Sequence, residues 1–464
     1  MLRSALTRVA ATAFAAAVSA AAWLLAAAPV HASCVDEDRL DAGTTAAPER
    51  VPAPAQPRLA LQALVREAVE RSQAVGANQL LAQAALDDVE EARAARLPQA
   101  SLNGGFGPGG VRTETKTQSI TQNSPAQIRG AVTVSQLLYD GGRSQSVTDW
   151  RTQLAESARW GNLSQQEQIT LTTVTFALER SRYRSQVQVY RQNVRKMGCL
   201  AEALETIVKG DRGRASELVQ ARKSQRQAEL ALSQTQSSLR QVEVRLRRLV
   251  GDAGAGLPSS EGVATVFSVT PDLKQTVMDV ERSFDIAQLD AQVAASRRYA
   301  DVVAAGSKPQ ISVAGNAGGN ASLGGGGSAR TATYSVGLLL NVPLLNPGQA
   351  PATSAAGQRA RAAVLQRADE VESRRFRAAE VHEQALAAAD RVKRLAEVLR
   401  ESDQVRSFTL QQWQQLGRRS LFDVMGAENE HYNLRVAYVN ALHDLQQLNA
   451  NLLSLGLGVS AALR

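Results

Sequence analysis

The chain has 464 residues, of which 44% are hydrophobic and only 4% aromatic, and it carries a net charge of +8. That composition, dominated by Ala, Gln, Arg, Leu and Ser, argues against a thick globular core and for long helices with thin seams. The basic balance does not mark a nucleic-acid partner. Arg is scattered along helical repeats among Glu and Gln, which reads as a solvated helix surface.

Arg3 and Arg8 precede an apolar run from Val9 to Ala28, and Val30-His31-Ala32 ends it with a small residue. Residues 1–32 therefore read as a secretory signal peptide removed after Ala32. Ala32-Ser33-Cys34 also resembles the end of a lipoprotein signal, but His31 stands where such signals want an aliphatic residue. The only other cysteine, Cys199, lies in a helical stretch and reads as a small seam residue. Beyond the signal no apolar run reaches about 18 residues, so a spanning helix is excluded. Any passage through a bilayer must use strands closed into a barrel.

Residues 33–57 hold Pro48, Pro52, Pro54 and Pro57 and read as a linker. A first repeat is expected over 58–250. It opens with one helix from about Leu59 to Arg96, with Leu61, Leu64, Val65, Ala68 and Val69 on one face and Pro98 as its stop. A hairpin follows over about 99–139, with a weak strand at 99–106, a polar loop at 107–128 and a better strand at 130–139. In the second strand Val132 and Val134 face one way and Thr133 and Ser135 the other. Asp140-Gly141-Gly142 is turn chemistry. No proline occurs between Pro125 and Pro258, so Arg143–Lys209 reads as helix, about 100 Å at 1.5 Å per residue. The reversal at about 210–216 is expected to end one helix at Gly210 and to cap the next with Ser216.

The returning helix carries a heptad ladder: Ala228, Leu232, Thr235, Leu239, Val242, Leu246 and Leu249. Leu434, Tyr438, Ala441, Leu445, Leu448, Leu452 and Leu455 repeat it 206 residues later. A 3.5-residue repeat holds one apolar seam against a neighbour, and two ladders in one register imply an internal duplication. After a connection at 251–270, the second repeat, 271–464, should run in the same order. Pro271 opens a helix to about Val303, and a hairpin at about 309–343 surrounds a Gly/Asn/Ser loop at 315–329. Tyr334, Val336, Leu338, Leu340 and Val342 alternate with Ser335, Gly337 and Asn341. Another proline-free helix then runs to a reversal at about 416–420, capped by Ser420.

Four strands with an apolar and a polar face suit a membrane, yet membrane barrels start near eight strands. An open edge in lipid is not viable, so at least two chains must share one barrel.

Taken together, these stretches resemble the TolC family of outer-membrane export channels. The resemblance is carried by Arg96-Leu-Pro98-Gln99-Ala-Ser-Leu102 and its partner Lys308-Pro309-Gln310-Ile-Ser312, by Leu138-Tyr-Asp-Gly-Gly-Arg143 and its partner Leu344-Leu-Asn-Pro-Gly-Gln349, and by Gly213-Arg-Ala-Ser216 and Gly417-Arg-Arg-Ser420. It implies a homotrimer in which a 12-strand barrel in outer-membrane lipid continues as a periplasmic α-helical tunnel. It also implies two partners, a periplasmic adaptor and an inner-membrane ABC transporter or proton-driven pump. By position, Gly213, Ser216, Gly417 and Ser420 fall at the adaptor-docking tips, and Asp423 at a ring that constricts the tunnel. Gly426 and Val219 occupy the other ring positions and are not acidic. Arg418 and Arg419 are placed to pair with acids of a neighbouring helix and hold the gate closed. A bland alternative for Asp423 is a solvated carboxylate near a helix N-terminus.

No enzyme or cofactor is expected. His382, His431 and His443 lack metal-ligand spacing, and Gly324–Gly327 is not followed by the Lys-Ser/Thr of a phosphate loop. A trimeric surface stalk would place its strands once, at the C-terminus, and a periplasmic coiled-coil adaptor would lack strand pairs. Within the export family the poor lipoprotein match at Cys34 favours type I protein secretion, and drug or metal efflux is the alternative.

Overall fold

A computed structural model describes residues 55–115, 118–251, 266–323, 330–416 and 418–464. The signal stretch, Cys34, most of both expected linkers, the glycine run at 324–327 and Gly417 lie outside the described residues. Elements run in the order α1 (Ala55–Arg71), α2 (Gln73–Ala94), β1 (Gln99–Thr115), β2 (Gln118–Tyr139), α3 (Arg143–Gly210), a 3-10 turn (Arg212–Arg214) and α4 (Ala215–Val250). The second series is α5 (Leu273–Asp279), a 3-10 turn (Val280–Arg282), α6 (Phe284–Ala305), β3 (Gln310–Leu323), β4 (Arg330–Asn341), α7 (Gln349–Leu416), α8 (Leu421–Leu455) and α9 (Val459–Leu463). No described helix is long and apolar enough to cross a membrane.

The duplication is plain in the elements. Both α3 and α7 have 68 residues and start 206 positions apart. Each follows a turn with the same hydrogen bond. Gly142 N donates to Asp140 Oδ1 at 3.1 Å, and Gly348 N donates to Asn346 Oδ1 at 3.2 Å. Members of both heptad ladders are buried or half-buried, as a seam requires.

Several sequence expectations need correction. The single helix expected over Leu59–Arg96 is two. Ser72 takes an extended conformation and its side chain accepts from Val75 N, capping α2. The helix expected from Pro271 to Val303 breaks likewise at Ser283, also extended. The polar loop expected at 107–128 is mostly strand, because β1 and β2 pair through Thr115 and Gln118. Likewise β3 runs to Leu323, through most of the loop expected at 315–329. Gly and Ser are weak strand formers, but a two-strand ladder satisfies their backbone groups, and Pro108 falls where the register shifts between Gly107 and Gly109. Cys199 is half-buried on α3.

The described chain divides into two compact units. One contains the sheet and the helix segments nearest to it in sequence. Its core joins Leu61, Leu64, Val65 and Ala68 of α1 to Val174 and Leu178 of α3, Leu246 of α4 and Val459 and Leu463 of α9. The other unit contains the two helical reversals. Met197, Leu200 and Leu204 of α3 pack there against Ala221 of α4 and Leu421, Val424 and Met425 of α8.

Candidate functional site

The sheet has the order β1-β2-β3-β4, all antiparallel. Directly paired residues share a face, so the register sorts the whole sheet. One face carries Leu102, Val132, Ala317 and Tyr334 in one row, and Ala100, Val134, Gly315 and Val336 in the next. The other carries Ser101, Thr133, Asn316 and Ser335, then Asn103, Ala131, Gly318 and Thr333. The apolar face is bare within the protomer, with Tyr334 at 90% and Val336 at 83% exposure. A contiguous exposed apolar face marks a membrane or partner surface. β1 and β4 each pair on one side only, which leaves two free edges.

The strand-to-helix corner is built by Asp140. Its carboxylate accepts from Gly142 N, and its Oδ2 from Ser144 N at 2.6 Å and from Ser144 Oγ. Burial alone raises this carboxyl. The bonds from Ser144 and Gly142 and the nearby Arg96 outweigh it and hold the group below its ordinary value. Gly141 has φ +67°, a left-handed conformation that favours glycine. Its carbonyl accepts from Lys308 Nζ at 2.9 Å, and a Cβ there would clash with the Lys308 side chain.

At the second reversal, Ser420 and Asp423 form a reciprocal cap. Asp423 N donates to Ser420 Oγ at 3.3 Å, while Ser420 N and Oγ donate to Asp423 Oδ2 at 3.1 Å. This is a capping box with Asp in the usual Glu place. Leu421, Val424 and Met425 are buried in the four-helix core, which puts Asp423 on the exposed side of α8. Arg419 is exposed and its Nε donates to Gln412 Oε1 at 3.2 Å, a neutral amide of the same protomer.

At the first reversal Ser216 does not cap. It lies inside α4, and the turn is closed one step earlier by Asp211, whose side chain accepts from Gly213 N at 2.9 Å. Gly213 sits within the 3-10 turn and is exposed. The structure thus brings Ser420, Asp423 and Arg419 to one reversal and Gly213 and Ser216 to the other.

Two residues escaped the sequence reading. Glu430 is exposed two helical turns after Asp423, on the stripe that includes Gly426, and the seven-residue spacing was the available signal. Glu428 is fully buried, with Lys196 Nζ of α3 and Arg406 Nη1 of α7 each 3.5 Å from its carboxylate.

Residues 64–252 and 279–456 match the model of the outer membrane efflux protein family. The chain belongs to that family. Its members are channels, not enzymes, of the Gram-negative outer membrane, and they have large periplasmic helical parts. They are trimers that work with adaptors and inner-membrane pumps. No curated protein sequence matches the chain. Among solved structures, the chain is similar to CusC, described for conformational changes accompanying folding and transmembrane channel formation. The TM-score is 0.74 at 17% identity, covering 86% of this chain and 92% of CusC. The outer membrane protein VceC from Vibrio cholerae gives 0.71 at 17% identity, over 86% of this chain and 96% of VceC. The open-state MtrE outer membrane channel from Neisseria gonorrhoeae gives 0.70 at 16% identity, over 87% of this chain and 88% of MtrE. The expected fold, an internally duplicated TolC-like chain with long helices and a small sheet, therefore stands.

Proposed function

We propose that this efflux channel is the outlet of a drug or metal efflux pump, with the sheets of three chains closing one 12-strand barrel. The two-faced sheet with free edges carries the barrel reading. Lipid leaves no backbone group unsatisfied, so β4 of one chain pairs with β1 of the next. The efflux description of the family favours efflux over type I protein secretion. The secretion reading rested on Cys34, which lies outside the described residues.

In the same reading, the reversals at Gly213–Ser216 and Arg418–Ser420 dock the adaptor. Asp423 forms an acidic ring that favours cations, with Arg419 bracing the loop beside it through Gln412.

Planar-bilayer conductance of the purified mature protein tests the conduit, and complementation of an outlet-deficient strain tests the cargo. Channels in the bilayer and restored expulsion of drugs or metal ions, without secretion of a type I protein substrate, are expected. Rescue of protein secretion alone would return that reading to first place.

A further inference from the structure

The polar face of the sheet carries one charged side chain in the rows that cross all four strands. Arg129 of β2 lies opposite Gly105 of β1 and Asn320 of β3, and Asn320 lies opposite Thr331 of β4. Glycine beside it leaves the guanidinium uncovered, and Arg129 is exposed. Its Nε and Nη2 both donate to Gln127 Oε1, at 3.3 and 2.9 Å. Gln127 is itself buried and donates to Gly109 O at 3.4 Å, at the shift in register. The bonding partner is a neutral amide, so it orients the guanidinium without neutralising it. Around Arg129 the sheet is hollowed into a shallow cavity of about 430 Å³. Glycine and alanine form the floor, while Asn103, Asn316, Asn320, Thr331 and Thr333 supply amide and hydroxyl groups at the rim.

We propose that Arg129 and this rim form an anion-binding cradle on the lumen face of the barrel, repeated in each chain as a cationic belt that retains polyanionic solutes. The proposal rests on the three-chain barrel of the preceding section. A fixed cation with neutral donors around it matches phosphate and sulfate oxygens, and rings of Arg in a pore favour anions. The cradle lies opposite the lipid-facing rows, so its ligand is a solute in the lumen and not a lipid headgroup.

Inositol hexakisphosphate is the probe, added on the barrel side of channels in planar bilayers. Wild type should show concentration-dependent current block. Arg129→Gln should weaken it at least about tenfold through loss of charge-assisted bonds, and Arg129→Lys should retain part of it. Undiminished block of Arg129→Gln, or no block of a conducting wild-type channel, overturns the cradle. Calorimetric titration of the same probe into the detergent-purified protein requires no conduction. Binding lost in Arg129→Gln there supports the cradle, and binding unchanged refutes it, even if absence of current has sunk the conduit reading.

Discussion

Replacing Glu428 by Ala should loosen the second helical reversal more than any surface change near it. The Glu428 side chain has 0% exposure, Lys196 7% and Arg406 12%, and both cations lie 3.5 Å from the carboxylate. At an effective dielectric of about 20, each contact is a gross attraction of about 5 kcal/mol. Much of that offsets desolvation, so the pair adds little net stability while intact. Removing the anion is a different perturbation, because it takes a fully buried carboxylate from between two cations and leaves Arg406 with Asp403, 2.7 Å from its Nη2. The expected cost is about 3–5 kcal/mol. Amide hydrogen exchange over α8 reads this locally, because exchange reports the opening of single elements. Exchange at 424–436 should accelerate by roughly 100-fold or more, as each 1.4 kcal/mol is about tenfold. Glu428→Gln should behave similarly, because it keeps the shape and loses the charge. The triple change of Glu428, Lys196 and Arg406 to Met should recover most of the loss. Exchange in Glu428→Gln within about threefold of wild type, equivalent to less than about 1 kcal/mol, would refute the reasoning.

The capping and gating roles of Asp423 separate by mutation. Ser420→Ala should cost about 1 kcal/mol of helix stability and leave ion selectivity intact, whereas Asp423→Ala should also reduce cation preference in bilayer reversal potentials. Equal selectivity in both variants would reduce Asp423 to a cap. At the corner, the Asp140 carboxyl is held below its ordinary value of 3.8. Its contribution is therefore fully present above the unfolded value and is lost as pH falls through the lower folded value. Wild type should lose protection of the first turn of α3 only in strong acid, and Asp140→Asn should show no such acid-dependent loss in pH-jump exchange. The faces of the sheet are tested by a matched pair. Val132→Arg points a charge at lipid and should cost about 2–4 kcal/mol and deplete the folded barrel. Thr133→Arg, one residue on, should assemble normally on heat-modifiability gels.

The sheet was legible because membrane strands obey a period of two. Val132 and Val134 against Thr133 and Ser135, and Tyr334 to Leu340 against Ser335 and Gly337, fall on the faces that the register gives them. The long helices were legible because proline is absent beyond their first turns and the ladders kept their heptads. What failed has physical causes. Ser72 and Ser283 break their helices without a proline or glycine; a side-chain cap accompanies the break at Ser72, while Ser283 is extended without one. Ser216 matched Ser420 in the sequence, but Asp211 reaches its own turn first and takes the cap. Glu428 lies before the ladder that starts at Leu434, so no periodic signal marks it. It is buried because α3 and α7 flank α8 together, and no pattern within one helix records two neighbours.

That difference also bears on how the second reversal holds its candidate gate. A carboxylate on an exposed helix face ordinarily samples several rotamers. Asp423 instead accepts two bonds from Ser420, so its charge is fixed relative to the start of α8. The start of α8 is in turn fixed by Leu421, Val424 and Met425 in the four-helix core, and one turn later by Glu428 between Lys196 and Arg406. The carboxylate can therefore move far only if α8 shifts or the cap breaks. Breaking the cap strands backbone donors at a cost of about 1 kcal/mol, while shifting α8 disturbs a buried charge cluster at several times that cost. If Asp423 lines a constriction, small adjustments come from the cap and wide opening requires α8 to move with its buried anion. Widening without disturbance of Glu428, seen as unchanged exchange at 424–436 in an open-state variant, would contradict that coupling.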